Sequence, residues 1–147
     1  MSRIVPEPEC YFRDLIPERS ALLRQLEAEA GREAIPIVGP VVGQLLHILA
    51  RALGARRILE LGTATGYSAI HLGDACRPSG GTVVTLEADP AMAARARGNL
   101  AAAGLGGIVE VRVGDALEAV SRMQPAFDLV FLDIDKADYV RALPDCQ

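Results

Sequence analysis

Residues 58–68 have the sequence Ile58-Leu59-Glu60-Leu61-Gly62-Thr63-Ala64-Thr65-Gly66-Tyr67-Ser68. An apolar run ends in a turn that carries two glycines, and a segment compatible with a helix follows. Glycine has no Cβ, so such a turn lets the backbone come close to a ligand. The pattern is typical of α/β proteins that bind a nucleotide-like cofactor, although a tight turn without a ligand has the same appearance.

From residue 57 onward, short apolar runs alternate with helical patterns. The predicted strands are Ile58–Leu61, Thr82–Glu87, Ile108–Val113 and Leu129–Leu132, and the predicted helices are Tyr67–Ala75, Pro90–Gly104 with Asp89 as its cap, and a short helix from Asp115 to about Met123. This alternation predicts an α/β fold with a parallel sheet and helices on both faces. The third strand alternates in polarity, which is typical of an edge strand, whereas the fourth is continuously apolar. The strand order 3-2-1-4 agrees with both patterns, since it places the alternating third strand at an edge of the sheet.

The N-terminal segment 1–54 is predicted to be helical, and residues 1–147 form a single domain. Pro17 suits a first helical position, with an apolar stripe that ends at Gly31. After a Pro/Gly hinge, a second helix ends at Gly54. Its apolar side chains are predicted to share one face, namely Val41, Val42, Leu45, Leu46, Leu49 and Leu53.

Composition and charge exclude several classes of function. The formal net charge is −4, so a nucleic-acid partner is not expected. Three cysteines, an odd number without metal-type spacing, favour reduced thiols in the cytoplasm. The N-terminus has no apolar core for a signal peptide, and the most apolar window, residues 35–53, is interrupted by prolines, glycines and polar residues. No membrane span is therefore predicted.

The predicted strand ends define a candidate site. In the order 3-2-1-4 the switch point lies between strands one and four, whose ends carry Gly62 and Asp133. Glu87 ends the second strand 25 positions after Gly62, where a carboxylate can accept both ribose hydroxyls of an adenosine cofactor. A solvated acid at a strand end is the alternative. Ala64 stands where G-x-G-x-x-G has its middle glycine, which weakens a dinucleotide interpretation without excluding it.

Two further acids have candidate roles. Asp115 and Ala116 follow the third strand, where an adenine ring would lie, and Asp115 also suits a helix cap. Glu60 lies within a buried strand and needs partners. We expect it to accept backbone N–H groups near the cofactor.

The densest ionisable cluster is residues 133–139. Three carboxylates and one lysine at a strand end indicate a site for a hard cation or acid–base chemistry, unless Asp133 only caps a following helix. Within this cluster Lys136 is a candidate general base.

With these residues the chain resembles the cation-dependent class I O-methyltransferases, the family that includes catechol and caffeoyl-CoA O-methyltransferases. The resemblance extends from about Tyr11 to Cys146. It depends on five segments: Val38-Gly39-Pro40-Val41-Val42-Gly43-Gln44, residues 60–68, Leu86-Glu87, Gly114-Asp115-Ala116, and residues 131–139. The combination of Gly-Tyr-Ser with Asp-x-Asp-Lys-x-x-Tyr is the most specific part.

The resemblance implies a Rossmann-like fold, S-adenosylmethionine as cofactor and a small catechol-like or phenolic hydroxyl as acceptor. The methionine part of the cofactor would be surrounded by Val38, Glu60, Gly62, Thr63 and Ser68. Glu87 would bind the ribose, Ala116 would lie by the adenine, and Asp135 would be nearby. Asp133 would be the first ligand of Mg²⁺ or a similar cation, and Lys136 would be the general base. The resemblance also suggests a homodimer.

Family members carry further strands after the lysine-containing loop, with an Asp-Asn pair that completes the metal site. The sequence given ends at Gln147. We therefore expect a C-terminally truncated methyltransferase domain with an incomplete metal site. The alternative function is a non-catalytic fragment that binds the cofactor or associates with itself through its apolar fourth strand. A nicotinamide-dependent oxidoreductase is a third hypothesis.

Overall fold

The computed structural model describes residues 8–123 and 126–146. The strands in this part are β1 (Arg57–Leu61), β2 (Thr82–Glu87), β3 (Val109–Val113) and β4 (Leu129–Leu132). The α-helices are α1 (Pro8–Leu15), α2 (Ala21–Glu33), α3 (Gly39–Leu53), α4 (Tyr67–Cys76), α5 (Pro90–Ala102), α6 (Ala116–Val120) and α7 (Tyr139–Ala142), and short 3₁₀ turns cover Arg77–Ser79, Lys136–Asp138 and Leu143–Cys146.

The four strands form one parallel sheet in the order β3-β2-β1-β4, which confirms the predicted topology. β1 lies between β2 and β4, so the strand that precedes the glycine turn is central. The bounds of β2 and β4 are those predicted from the sequence. β3, the alternating strand, lies at one edge as predicted.

Helices cover both faces of the sheet, as predicted. On one face, Ile58 and Val83 pack under α4 and α5 with residues such as Ile70 and Leu100. On the other face, Leu59, Leu61 and Leu86 pack with residues of α6 and α7. The alternation of side chains along each strand produces these two separate cores.

Some helix ends differ from the predictions. α2 begins at Ala21, after Pro17, because the Ser20 side chain accepts a hydrogen bond from the Leu23 N–H (3.2 Å) and caps the helix. α2 continues past Gly31 to Glu33. α6 ends at Val120, earlier than Met123.

The apolar face predicted for α3 is largely exposed and is not the face that the helix buries. The helix buries Pro40, Gly43, Leu46 and Ala50, whereas Val42, Leu45, Ile48, Leu49 and Leu53 are exposed. A Cβ added to Gly43 would lie 2.6 Å from the His71 ring of α4, so the small residues of α3 permit a close approach of the two helices. Shape complementarity with α4 therefore determines the buried face, rather than hydrophobicity.

Candidate active site at the carboxyl edge of the sheet

The carboxyl ends of the strands meet at one edge, beside an open cavity of about 560 Å³. Leu61 pairs with Leu86 on one side and with Leu132 on the other. The next residues, Gly62, Glu87 and Asp133, therefore lie side by side, where ligands bind in open α/β sheets. The predicted site residues that line the cavity are Val38, Gly62, Glu87, Ala116, Asp133 and Asp135.

The glycine turn adopts a conformation that a side chain at Gly62 would not tolerate. Gly62 has φ +96°, and an added Cβ would overlap the carbonyl oxygen of Asp133 and lie 2.8 Å from its carbonyl carbon. The Asp133 N–H in turn donates to the Leu61 carbonyl (2.8 Å). The turn after β1 and the loop after β4 thus approach each other at a distance that only glycine allows.

Neighbouring elements hold the rest of the turn. The Glu87 carboxylate accepts hydrogen bonds from the N–H groups of Thr63 (3.3 Å) and Ala64 (2.8 Å). From α5, the Asn99 side-chain amide donates to the Thr65 carbonyl (2.8 Å). Ala64 itself has φ +46°, a left-handed conformation that is uncommon for a residue with a Cβ.

Behind the turn lies a buried polar network centred on Glu60. The Thr85 hydroxyl donates to Glu60 Oε2 (2.6 Å), and the hydroxyls of Thr63 and Thr85 are hydrogen-bonded to each other. The expectation that Glu60 accepts backbone N–H groups is wrong, because the partners supplied by the described residues are hydroxyls. Among those residues, Glu60 Oε1 has no hydrogen-bond partner.

Burial raises the pKa of Glu60 to about 7, because the charged carboxylate is disfavoured away from water. Hydrogen bonds from Ser68 and Thr85 oppose this shift, and the negative charge of Asp133 adds to it. Glu60 is therefore poised to carry a proton near neutral pH.

We expect Glu60→Gln to remove a pH dependence of folding stability. Since the folded-state pKa is raised, the stabilising contribution of Glu60 is fully present below about pH 4.5 and is lost as the pH rises through about 7. A pKa shift of this size corresponds to roughly 3 kcal/mol of folding free energy. Relative to wild type, the free energy of unfolding of the variant should therefore rise by up to about that amount at pH 8 and change little at pH 4. Urea unfolding across this range measures the effect. The exposed Glu118→Gln is the matched control, and equal pH profiles for wild type and Glu60→Gln would contradict the prediction.

The loop after β4 carries the predicted acid–base residues. Partial burial raises the pKa of the Asp133 carboxyl, because it removes water from the charged form. Asp135 lines the cavity and its carboxylate also caps the following turn by accepting from the Ala137 N–H (2.9 Å). Lys136 is exposed in that turn, directly after Asp135 and three positions after Asp133 in sequence.

The described residues do not make a metal centre. Across residues 8–123 and 126–146, no three His, Cys, Asp or Glu side chains are grouped so that they could hold an ion. Asp133 and Asp135 alone offer carboxylate oxygens from the loop after β4 to the cavity. Since Mg²⁺ prefers near-octahedral oxygen coordination, these residues do not fit a complete Mg²⁺ site.

At the far side of the cavity, the segment after β3 both caps a helix and lines the cavity. Asp115 caps α6 by accepting from the Glu118 N–H (2.9 Å), as predicted for a helix cap. Ala116, together with Gly114, lines the cavity next to Glu87. The cap thus fixes the start of α6, where small residues form this wall of the cavity.

Five predicted residues do not line the cavity. Glu60, Thr63 and Ser68 are buried (0%, 2% and 5% exposed) in one network, Asp115 caps α6, and Lys136 is exposed in the loop after β4. Sequence analysis missed Pro36 and Ile37, which line the cavity beside Val38, although the Pro/Gly hinge signalled an irregular segment there. It also missed Asn99, which gives no motif signal because it contacts the turn from the middle of a helix.

The cavity has a distinctive charge. The side chains of Glu87, Asp133 and Asp135 line it, and no lysine, arginine or histidine does so among the described residues. Acidic walls favour a ligand that carries positive charge, such as a sulfonium and an ammonium group, over one that carries a pyrophosphate. The arrangement therefore suits the S-adenosylmethionine predicted from the resemblance.

Comparison with known proteins gives the same family. Residues 16–146 match the family model described as O-methyltransferase. The catechol O-methyltransferase of Niastella koreensis is 39% identical over 145 residues, which cover 94% of this chain and 65% of the relative. The catechol O-methyltransferase of Mycobacterium tuberculosis is 43% identical over 128 residues, which cover 86% of this chain and 58% of the relative. The chain thus spans less than two thirds of the length of these curated relatives.

A solved structure is also similar over nearly the whole chain. The O-methyltransferase TomG from Streptomyces achromogenes, involved in tomaymycin synthesis and determined in complex with S-adenosylmethionine, superposes with a TM-score of 0.80 at 36% identity. The match covers 96% of this chain and 67% of TomG.

Proposed function

Because the chain belongs to the O-methyltransferase family, we propose that it transfers a methyl group from S-adenosylmethionine to a hydroxyl of a small catechol-like or phenolic acceptor. The observation that carries the proposal is the alignment of Gly62, Glu87 and Asp133 along one acidic cavity. The named activities of the two catechol O-methyltransferases favour an acceptor of that class.

We assign each part of the cofactor to a different set of residues around the cavity. Glu87 binds the ribose, and Ala116, with Asp115 behind it, borders the adenine. Val38, Gly62 and the network of Glu60, Thr63 and Ser68 surround the methionine part, with Asp135 nearby. The acidic character of this wall supports the assignment, because the amino group and the sulfonium are both cationic.

When bound, S-adenosylmethionine supplies the methyl group that is transferred and leaves as S-adenosylhomocysteine. The Lys136 amine takes the proton of the acceptor hydroxyl, so that the oxygen lone pair is free to form the new C–O bond as the C–S bond breaks. The close contact of Gly62 with the Asp133 backbone fixes the two loops relative to each other. Holding donor and acceptor in line supplies much of the rate enhancement in such a reaction.

A divalent cation bound by Asp133 is the further part of the proposal that comes from the family resemblance. Asp133 would share such an ion with water and with the oxygens of the acceptor. No step above depends on the ion, since the described residues do not complete its site.

The proposed reaction is tested with labelled S-adenosylmethionine and two acceptors, catechol and its non-vicinal isomer resorcinol, with Mg²⁺ or with a chelator. We expect methylation of catechol, and a marked loss of rate with the chelator would support the cation bound by Asp133. Transfer that is unaffected by the chelator would remove the cation from the proposal. Cofactor binding without transfer to any hydroxyl would favour the alternative of a non-catalytic cofactor-binding fragment.

We further propose that the protein is a homodimer that uses the exposed apolar surface of α1 and α3. This surface, here called the α1–α3 ridge, consists of Tyr11, Phe12, Leu15, Val42, Leu45, Ile48, Leu49 and Leu53, and these side chains are 40–63% exposed. Contiguous apolar area of this kind is typical of protein interfaces. A two-fold axis would place each ridge on its own copy in the partner.

The substitution Leu45→Glu should therefore convert a dimer into a monomer at micromolar concentration, because it places a charge within the buried interface. Light scattering after size exclusion measures the mass. Val140→Glu, at an apolar residue that is 81% exposed in α7, is the matched control and should leave the mass unchanged. A wild-type monomer, or a dimer that survives Leu45→Glu, would reject the ridge as the interface and direct attention to the edge of β4.

The cytoplasm is the proposed location, with a small-molecule acceptor and no nucleic-acid partner. The thiols of Cys10 and Cys76 are free, as suits a reducing compartment. Among the described residues, no helix combines the length and apolar character needed to cross a membrane.

A further inference from the structure

Glu87 has more hydrogen-bond partners than a ribose-binding carboxylate requires. Its Oε2 accepts from the N–H groups of Thr63 (3.3 Å) and Ala64 (2.8 Å), and its Oε1 accepts from the Asp89 N–H (3.0 Å). A carboxylate has about four acceptor positions, so three of them serve the protein backbone. The side chain thus connects the end of β2 to the turn after β1.

The glycine turn needs such a partner. Thr63 is only 2% exposed, so its N–H is removed from bulk water and is costly to leave unpaired. Ala64 has φ +46°, and a left-handed alanine is unfavourable relative to its usual conformation. Hydrogen bonds to a charged acceptor are stronger than those between neutral groups, so one carboxylate can offset both penalties.

We propose that Glu87 is a positioning residue for the glycine turn as well as a ligand of the ribose. It holds Thr63 and Ala64 in the cofactor-binding conformation, and so contributes to the binding of the whole cofactor, including parts that it does not touch. This inference rests on the proposed function, because it concerns the same cofactor site.

Asn99 provides a matched comparison. Its amide donates to the Thr65 carbonyl (2.8 Å) from α5, and it does not line the cavity. Asn99→Ala therefore loosens the same turn without removing a ribose contact. If the turn matters for affinity, this variant and a Glu87 variant should share part of their effect.

The test is a thermodynamic cycle between Glu87 and the ribose hydroxyls. S-adenosylhomocysteine and its 2′,3′-dideoxyribose analogue are titrated calorimetrically into wild type, Glu87→Ala and Asn99→Ala. If Glu87 acted only through the ribose, its removal would not change the affinity for the dideoxy analogue. We expect Glu87→Ala to weaken the binding of the dideoxy analogue by about tenfold or more, because the hydrogen bonds from the turn to a charged carboxylate are lost. Asn99→Ala should weaken both ligands by a similar factor.

A second measurement reads the turn directly and needs no ligand. We expect amide hydrogen exchange at Thr63 and Ala64 to become at least about tenfold faster in Glu87→Ala, with Glu87→Gln intermediate because one acceptor oxygen remains. Glu87→Gln also serves if the alanine variant does not fold. Unchanged exchange at both amides, or an analogue affinity that is insensitive to Glu87, would overturn the inference. If wild type does not bind S-adenosylhomocysteine at all, the proposed function fails, and the exchange measurement alone decides whether Glu87 holds the turn.

Discussion

Replacing Lys136 by alanine is expected to lower kcat for methyl transfer by about 10²–10⁴-fold, the range for loss of a general base. The affinity for S-adenosylmethionine should change less than about twofold, because Lys136 is exposed on the loop after β4 and does not line the cofactor cavity. Single-turnover kinetics together with calorimetric titration of the cofactor separate the two quantities.

Two variants make the Lys136 experiment specific. Lys136→Arg keeps the positive charge but cannot be deprotonated, so it should be nearly as slow as the alanine variant if the side chain is a base. Arg141→Ala removes a cation that pairs with Asp138 (2.8 Å) on the same segment and should retain activity. Normal turnover in Lys136→Arg would assign Lys136 an electrostatic role instead.

The sequence offers a direct probe of this residue. Lys136 is the only lysine among the 147 residues, so isotope-labelled reductive methylation marks one side chain apart from the N-terminal amine. Titration of the labelled amine by NMR then gives its pKa with and without the cofactor. A pKa low enough for the free amine to be present at the pH of turnover would support the role of Lys136 as the base.

Replacing Gly62 by alanine should destabilise the fold by about 2–5 kcal/mol. This range is the sum of two costs, the left-handed backbone conformation of a residue with a Cβ and the overpacking that the Cβ causes. The physical cause is the contact with the loop after β4: a Cβ at Gly62 would overlap the Asp133 carbonyl oxygen, and φ is +96°. Chemical denaturation measures the loss. Cofactor binding should be lost with it, because the turn and the loop after β4 can no longer approach each other.

Gly98→Ala is the matched control for Gly62→Ala. Gly98 lies within α5, and an added Cβ would meet nothing within 4 Å. Alanine there should stabilise the protein by about 0.5–1 kcal/mol, since it favours the helix. If Gly62→Ala were as stable as wild type, the close approach of the two loops would not be a constraint on this fold.

Local patterns predicted most of the architecture. The bounds of β2 and β4 and the order of the sheet follow from apolar runs separated by turns and helices, and these signals do not depend on distant contacts. The same patterns predicted that Gly62, Glu87 and Asp133 end neighbouring strands. Their alignment along one cavity follows from parallel pairing alone.

What the patterns could not predict depends on tertiary contacts. The buried face of α3 is determined by the fit of Gly43 against His71, and the apolar periodicity of the helix indicated a different face. The hydroxyl partners of Glu60 lie on β2 and α4, and no spacing rule connects them to it. The contacts of Glu87 with Thr63 and Ala64 depend on the register of β1 and β2.

The acidic cavity at the ends of β1, β2 and β4 is the proposed binding site of S-adenosylmethionine. Calorimetric titration of S-adenosylmethionine into the purified protein, with NAD as the competing cofactor, measures this binding. We expect saturable binding at one site per chain that NAD does not displace. Absence of saturable binding, or tighter binding of NAD, would contradict the assignment of the cavity.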